Sequence, residues 1–101
     1  MPQKVEDDLS DSFKIFETDQ FLKDLKRLRI KENDSRYHKI HNYVYPQLRV
    51  NPYYGKNIKK LRNWSPETWR YRVGSYRVFY IIDDSIKIVS ITSMEQRDKA
   101  Y

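Results

Sequence analysis

The sequence predicts one small α+β domain in which two helices cover one side of a largely antiparallel sheet. The chain has 101 residues, a length that suits a single domain. Apolar residues recur at helical spacing in the first half, and from Asn57 onwards the period changes to the alternation typical of strands. Residues 1–11 are charged and have almost no apolar anchors, so we expect a disordered acidic leader followed by one domain over residues 12–101.

The predicted elements follow the order β-α-α-β-β-β-β: an N-terminal strand, a helical hairpin and a four-stranded antiparallel meander. The first strand covers residues 12–18, and Asp19 is the expected N-cap of the first helix. Asp34 or Ser35 is expected to cap the second helix, which Pro46 should kink or end because proline lacks the amide donor. The later strands are predicted at residues 57–62, 68–73, 76–83 and 86–92.

The charge distribution favours a polyanionic partner. The net charge is +6, but Lys4 stands against four acids in residues 1–11, which leaves a net charge of +9 for the rest of the chain. Seven of the eight charged residues between positions 55 and 77 are basic, a concentration that creates a local positive potential. The alternative interpretation is an ordinary lysine-rich surface.

Several classes of protein are excluded or disfavoured by the composition. The absence of cysteine excludes disulfides, zinc–cysteine sites and thiol catalysis. No apolar run approaches the roughly 20 residues of a membrane helix, and the polar, acidic N-terminus is unlike a signal peptide. We therefore expect a cytoplasmic protein with no membrane partner. His38 and His41 share a helix face, but a metal site needs about three or four ligands, so we expect no metal and no cofactor.

The stretch from Trp69 to Tyr80 predicts a β-hairpin around Gly74-Ser75. Glycine followed by one further residue suits a two-residue type II′ turn, which fixes the cross-strand register. Opposed residues lie on the same side of a sheet, and successive residues alternate between its sides. The side expected to pack on the helices consists of Trp69, Tyr71, Val73, Tyr76, Val78 and Tyr80. The other side is expected to present Arg70, Arg72, Arg77 and Phe79.

The feature that points to function is Arg72 directly opposite Arg77. Like charges opposed on a sheet are destabilising, so a sequence selected for stability alone would more often carry an acid or a threonine there. One alternative is that one arginine pairs with Glu67, Asp83 or Glu95 while the other is solvated. The functional interpretation is that the guanidinium groups bind phosphate, because their planar fork suits bidentate contacts with its oxygens.

Contacts with RNA are expected around this side of the hairpin. Phe79 and nearby tyrosines are candidates for stacking on unpaired bases, as recognition of single-stranded RNA typically requires. The remaining candidate RNA-binding residues are Lys56, Lys59, Lys60 and Arg62. Trp69 is expected to pack in the core because it lies on the same side of the strand as Tyr71. For Trp64, the sequence does not decide between packing and stacking on a base.

The segment from Trp69 to Asp84, Trp-Arg-Tyr-Arg-Val-Gly-Ser-Tyr-Arg-Val-Phe-Tyr-Ile-Ile-Asp-Asp, resembles the core of the RelE/ParE family of bacterial and archaeal toxins. Residues 51–56, 58–61 and 97–101 also resemble that family, and the similarity covers about residues 12–101. The resemblance implies the RelE-like fold and the toxin of a type II toxin–antitoxin system. RelE-like members are metal-independent endoribonucleases that cut messenger RNA on the ribosome through the RNA's own 2′-hydroxyl, whereas ParE-like members poison DNA gyrase. The implied partners are a cognate antitoxin, in a hetero-oligomer, together with mRNA and the ribosome.

The resemblance also assigns roles to individual residues. Arg70 and Arg72 occupy positions where ribosome-dependent members place basic catalytic residues, and Arg77 matches an arginine that contacts phosphate. Arg97 matches the arginine of the C-terminal motif. Tyr101 matches a tyrosine that stacks on a nucleotide or takes part in proton transfer.

Departures from the family pattern leave the chemistry open. Glu95 and Gln96 stand where relatives have arginine and histidine, which removes an obvious proton donor. Arginine is a poor base because its pKa exceeds about 12, so protons must move through Glu95, Tyr101, Lys59 or Lys60, or the ribosome. One hypothesis is therefore a ribosome-dependent mRNA endonuclease with Glu95 among its catalytic residues. The other is a non-enzymatic relative, either a gyrase poison or a catalytically weakened RNA-binding protein.

Overall fold

A computed structural model describes residues 12–97. The predicted acidic leader at residues 1–11 and the predicted role of Tyr101 lie outside the described residues. The strands and α-helices are β1 Lys14–Glu17, α1 Asp19–Arg27, α2 Ser35–Lys39, α3 Tyr45–Val50, β2 Ile58–Lys60, β3 Trp69–Val73, β4 Tyr76–Asp83 and β5 Ile88–Gln96. A π-helical segment, Ile40–Val44, joins α2 to α3. Over the described range, no helix has both the length and the apolar character needed to cross a bilayer.

The strands form one sheet in the order β1-β5-β4-β3-β2. β1 runs parallel to β5, and the other neighbouring pairs are antiparallel. The predicted α+β class, with an N-terminal strand, a helical region and a four-stranded meander, is confirmed. Phe21 and Leu25 of α1 are buried with Val44, Leu48 and the hairpin residue Tyr80 in one core, so the helices cover a single side of the sheet. Each fully buried side chain of this kind contributes roughly 1.5–3 kcal/mol.

The N-cap of α1 lies one residue earlier than predicted. Thr18 has an extended conformation, and its Oγ1 accepts a hydrogen bond from the amide of Phe21 at 3.2 Å. The same hydroxyl donates to the carbonyl of Ile91 at 2.7 Å, which fastens the start of the helix to β5. The prediction of Asp19 as the cap is therefore wrong. Asp19 lies in the first turn, where its negative charge complements the positive end of the helix dipole.

The second helical region passes through Pro46 instead of ending there. It begins with Asp34 as N-cap, one of the two predicted residues. Residues Ile40–Val44 widen into a π-helix, and the amide of Tyr45 donates to the carbonyl five residues earlier. Because this wider turn directly precedes the proline, the ring is accommodated in the first turn of α3 and the helix continues.

The last strand begins later and runs further than predicted. β5 spans Ile88–Gln96 instead of residues 86–92, because the preceding turn ends with Lys87 at a positive φ of 57°. The strand then continues beside β4 through a shift of register between Phe79 and Tyr80. This extension carries Glu95 to the position directly opposite Arg77.

Candidate nucleic-acid interface

The hairpin of β3 and β4 has the predicted register. The expected cross-strand pairs are present, from Trp69 opposite Tyr80 to Val73 opposite Tyr76. Gly74 has a φ of 57°, and Ser75 is not among the described residues with a positive φ. The left-handed residue thus occupies the first central position of the turn alone, as type II′ geometry requires.

Arg70, Arg72 and Arg77 lie on the side of the sheet that faces away from the helices. Tyr71 and Val73, which alternate with the arginines of β3, are buried in the core. Arg72 is exposed and sits directly opposite Arg77, as predicted. We call this surface the arginine face and define it by Arg70, Arg72 and Arg77.

Arg97 joins the arginine face near the hairpin turn. Its amide donates a hydrogen bond to the carbonyl of Ser75 at 2.6 Å. The pKa of Arg70 is lowered, first by partial burial and then by the positive charges of Arg72, Arg77 and Arg97. Arginine remains protonated at neutral pH because its ordinary pKa is so high. The four guanidinium groups therefore repel one another, and an anion bound among them relieves that repulsion.

One carboxylate from the described part of the chain reaches the arginine face. Oε1 of Glu95 lies 3.6 Å from Nη2 of Arg77. The Arg77 side chain is 39% exposed and that of Glu95 is 52% exposed, so this pair contributes at most about 1 kcal/mol. Within residues 12–97, neither Arg70 nor Arg72 forms an ion pair. The alternative in which a carboxylate of the same chain pairs with an arginine therefore applies to Arg77 and not to Arg70 or Arg72.

The two lysines of β2 point to opposite sides of the sheet. Lys59 is opposite Arg70 and so shares the arginine face. Lys60 is opposite Trp69, on the other side, where its Nζ lies 2.8 Å from Glu67 and 5.9 Å from the centre of the Trp69 ring. Lys60, a candidate RNA-binding residue, therefore does not share the arginine face with Lys59, because adjacent residues of a strand alternate.

Lys56 and Arg62, the other two predicted RNA-binding cations, flank β2 in exposed loop positions. Arg62 lines a surface groove together with Asn63 and Trp64 in the loop between β2 and β3. Neither cation belongs to the sheet, so the cross-strand register does not place either of them on the arginine face.

Phe79 lies on the arginine side as predicted but is not open for stacking. Phe79 is only 5% exposed, and the indole of Trp64 stacks on its ring with ring centres 5.7 Å apart and planes 16° apart. Trp64 itself is 52% exposed. The aromatic surface presented here is therefore Trp64, a residue whose role the sequence left open.

Glu17, His41 and Tyr45 form a separate polar cluster on the helix side. Nε2 of His41 and the hydroxyl of Tyr45 lie 3.1 Å and 2.7 Å from the same oxygen of Glu17. Burial, together with the hydrogen bond that its hydroxyl donates to this carboxylate, raises the pKa of Tyr45. In the part of the chain from residue 12 to residue 97, no three His, Asp or Glu side chains are grouped to hold a metal ion.

Three comparisons with known proteins bear on this architecture. A family model described as the ParE toxin of the type II toxin–antitoxin system parDE matches residues 15–99. A search of the curated proteins found no match. Among solved structures, the chain is similar to one in the archaeal RelE–RelB complex from Pyrococcus horikoshii OT3. The TM-score is 0.68 and the identity 22%, over 88% of this chain and 99% of that one.

Two further structures show the same fold. One is a chain of the toxin–antitoxin complex RelBE2 from Mycobacterium tuberculosis, with a TM-score of 0.66 and 25% identity over 85% of this chain and 92% of that one. The other is the YoeB dimer from Staphylococcus aureus, with a TM-score of 0.64 and 21% identity over 86% of this chain and 99% of that one.

Proposed function

We propose that this chain, which belongs to the ParE toxin family of type II toxin–antitoxin systems, is a ribosome-dependent endoribonuclease that cleaves messenger RNA. The observation that carries the proposal is the arginine face. Its three guanidinium groups, with Arg97 and Lys59 beside them, share one side of the sheet, and one carboxylate of the described chain reaches them. Such a surface suits the phosphodiester backbone.

The proposed reaction uses the RNA's own 2′-hydroxyl as the nucleophile. The 2′-oxygen bonds to the adjacent phosphorus while the bond from phosphorus to the 5′-oxygen breaks, which leaves a 2′,3′-cyclic phosphate and a 5′-hydroxyl. Arg70, Arg72 and Arg77 stabilise the extra negative charge on the phosphorane, and this is often the largest single contribution to catalysis.

Proton transfer needs a base at the 2′-oxygen and an acid at the 5′-oxygen. Glu95 is the carboxylate at the arginine face and is the proposed base, with Lys59 as the alternative. Lys60 lies on the other side of the sheet and contacts Glu67, so we assign it no proton transfer. Tyr101 or a group of the ribosome supplies the proton that the 5′-oxygen gains.

A translation reaction with purified ribosomes and a defined message tests the proposal. The wild-type chain should generate new RNA ends within codons, and only when ribosomes are present. Arg72→Ala and Arg77→Ala should abolish cutting, while Arg49→Ala, which removes an exposed arginine from α3, should not. Glu95→Gln should retain binding and lose cutting. Translation arrest without new RNA ends would refute the proposal.

The cognate antitoxin is the proposed protein partner, in a toxin–antitoxin hetero-oligomer. The relatives from Pyrococcus horikoshii and Mycobacterium tuberculosis were solved in such complexes. An acidic or amphipathic segment would complement the basic, partly aromatic surface around the arginine face. Co-expression with the product of an adjacent reading frame for a small acidic protein should yield a stable complex and restore growth, and failure of every adjacent product to bind would refute this partner.

A second candidate function is inhibition of DNA gyrase. The observation that favours it is the family match itself, which is to a model described as the ParE toxin. This function predicts that the purified chain blocks DNA supercoiling by gyrase and leaves messages intact on ribosomes. The two assays, run on the same preparation, therefore separate the candidates.

A further inference from the structure

Trp64 occupies an exposed but well-supported position in the loop between β2 and β3. One face of its indole rests on Phe79, yet 52% of the residue remains accessible to solvent. The loop is closed at its base by a hydrogen bond from the amide of Leu61 to the carbonyl of Thr68, at 2.9 Å. Buried Thr68 also donates through Oγ1 to the carbonyl of Pro66, at 2.8 Å. These contacts close the loop that carries Trp64.

Two cations lie in line with Phe79, on which Trp64 rests. Phe79 is directly opposite Arg70, and Arg70 is directly opposite Lys59, so the three form one row across the arginine side of the sheet. Arg62 lies in the same loop as Trp64 and lines the same groove, to which the ion pair of Lys60 and Glu67 also contributes. The exposed indole thus stands where a polyanion bound to Arg70 and Lys59 would pass.

We propose that Trp64 is a stacking platform for one unpaired RNA base, next to the phosphate bound by Arg70 and Lys59. This inference rests on the proposed function and adds a base contact to it. Single-stranded RNA matches both features, because its phosphates can bind the row of cations while an unpaired base stacks on the exposed indole. The alternative use of Trp64, as a cover that only shields Phe79 from water, is an outcome of the test below.

Fluorescence of Trp64 provides the first measurement. The chain has two tryptophans, and Trp69 is half-buried on the helix side of the sheet, so Trp69→Phe leaves Trp64 as the single indole. The probe is a short single-stranded RNA that is fully 2′-O-methylated, so the nucleophile is blocked. Saturable quenching with the same midpoint as fluorescence anisotropy is expected, and the matched variant Trp64→Phe, which retains Trp69, should show none.

Affinity provides the second measurement. Trp64→Leu keeps an apolar cover over Phe79 but cannot stack, and it should weaken binding roughly 5- to 150-fold, the value of one base–aromatic stack. Trp64→Phe should lose less affinity. Replacing the bases of the probe one at a time by abasic sites should identify one position that matters to the wild type and not to Trp64→Leu. Circular dichroism checks that each variant is folded.

The outcomes separate this inference from the proposed function. If Arg72→Ala abolishes binding while Trp64→Leu binds like the wild type, Trp64 is only a cover and the inference is wrong, whereas the phosphate site stands. If the wild type neither binds the probe nor cuts messages on ribosomes, both are wrong. If RNA quenches the fluorescence of Trp64 and Trp64→Leu weakens binding, the stacking platform is supported. This result does not depend on cleavage, so it also holds if the same measurements are made in the Glu95→Gln background.

Discussion

Replacing Arg72 with glutamine is expected to stabilise the fold while it removes the proposed activity. Arg72 is exposed, lies directly opposite Arg77, and contributes to lowering the pKa of Arg70. Glutamine keeps most of the length and hydrogen-bonding ability of the side chain but removes its charge. The substitution therefore isolates the repulsion within the arginine face.

The expected increase in stability can be worked out from the cross-strand pairing of Arg72 with Arg77. A like-charged pair directly opposed on a sheet costs roughly 0.2–1 kcal/mol. Coulomb's law agrees, since two charges about 7 Å apart in water repel by about 0.6 kcal/mol, which roughly 0.15 M salt reduces to about 0.25 kcal/mol. With the more distant arginines included, we expect the free energy of unfolding to rise by about 0.5 kcal/mol, or Tm by roughly 2–4 °C.

Thermal unfolding at several salt concentrations is the assay. The gain of Arg72→Gln should be largest in low salt and should almost vanish near 1 M salt, where the screening length is only about 3 Å. Arg72→Lys keeps the charge and should resemble the wild type. Arg77→Gln should gain less, because it also removes the ion pair with Glu95. A less stable Arg72→Gln, or a gain that does not depend on salt, would refute the reasoning.

Three further predictions concern stability and ionisation. Asp24 is buried and accepts the amide of Met94 at 2.9 Å, so Asp24→Ala, which leaves that donor unpaired, should lower the free energy of unfolding in urea by roughly 2–3 kcal/mol. Gly74→Ala should cost about 1–2 kcal/mol in the same assay, because φ is 57° there, although the added methyl group would meet no atom within 4 Å. Hydrogen bonds from Arg36 lower the pKa of Asp34 from 3.8 to about 2. This carboxyl therefore adds stability above its unfolded pKa and loses it as the pH falls from about 4 to about 2, and Arg36→Met should raise its midpoint in an NMR titration.

Two of these predictions have a matched control, and the third has an outcome that contradicts it. Asp19→Ala removes an exposed carboxylate of the same helix, and a loss equal to that of Asp24→Ala would contradict the role given to the buried bond. Gly74→Asn should be milder than Gly74→Ala, because asparagine tolerates left-handed backbone better. If the midpoint of Asp34 does not move in Arg36→Met, the hydrogen bond from the backbone amide of Arg36, which that variant keeps, is sufficient by itself.

The hairpin could be predicted to the residue because its determinants are local. Gly74 at the first central position selects the turn, the turn selects the register, and the register with alternation determines which side chains share a face. The arginine face follows without any information from distant parts of the chain. The predictions for the helical region were less accurate, because a cap such as Thr18 also depends on a partner, Ile91, that is remote in sequence.

The composition of the site beyond the hairpin could not be predicted in the same way. The loop from β2 to β3 has no period and no turn of fixed length, so the sequence did not show that Lys59 rather than Lys60 would face Arg70. The stacking of Trp64 on Phe79 joins residues from a loop and a strand, and only the folded path of the loop brings them together.

The two sides of the hairpin contribute opposite terms to the free energy of folding. On the helix side, the hydroxyl of Tyr80 donates to the carbonyl of Pro52 at 2.7 Å and that of Tyr71 donates to Gln47 at 2.9 Å, while both rings are buried. These contacts fix the strands, and because side chains alternate, they also fix the backbone positions of Arg70 and Arg72 on the other side. A phosphate group then needs to order only the side chains, at a cost of about 0.5–1.5 kcal/mol each, and it removes their mutual repulsion in return. Packing on the helix side therefore offsets the repulsion among the arginines, and this allows the sheet to hold several positive charges close together where a ligand can bind them.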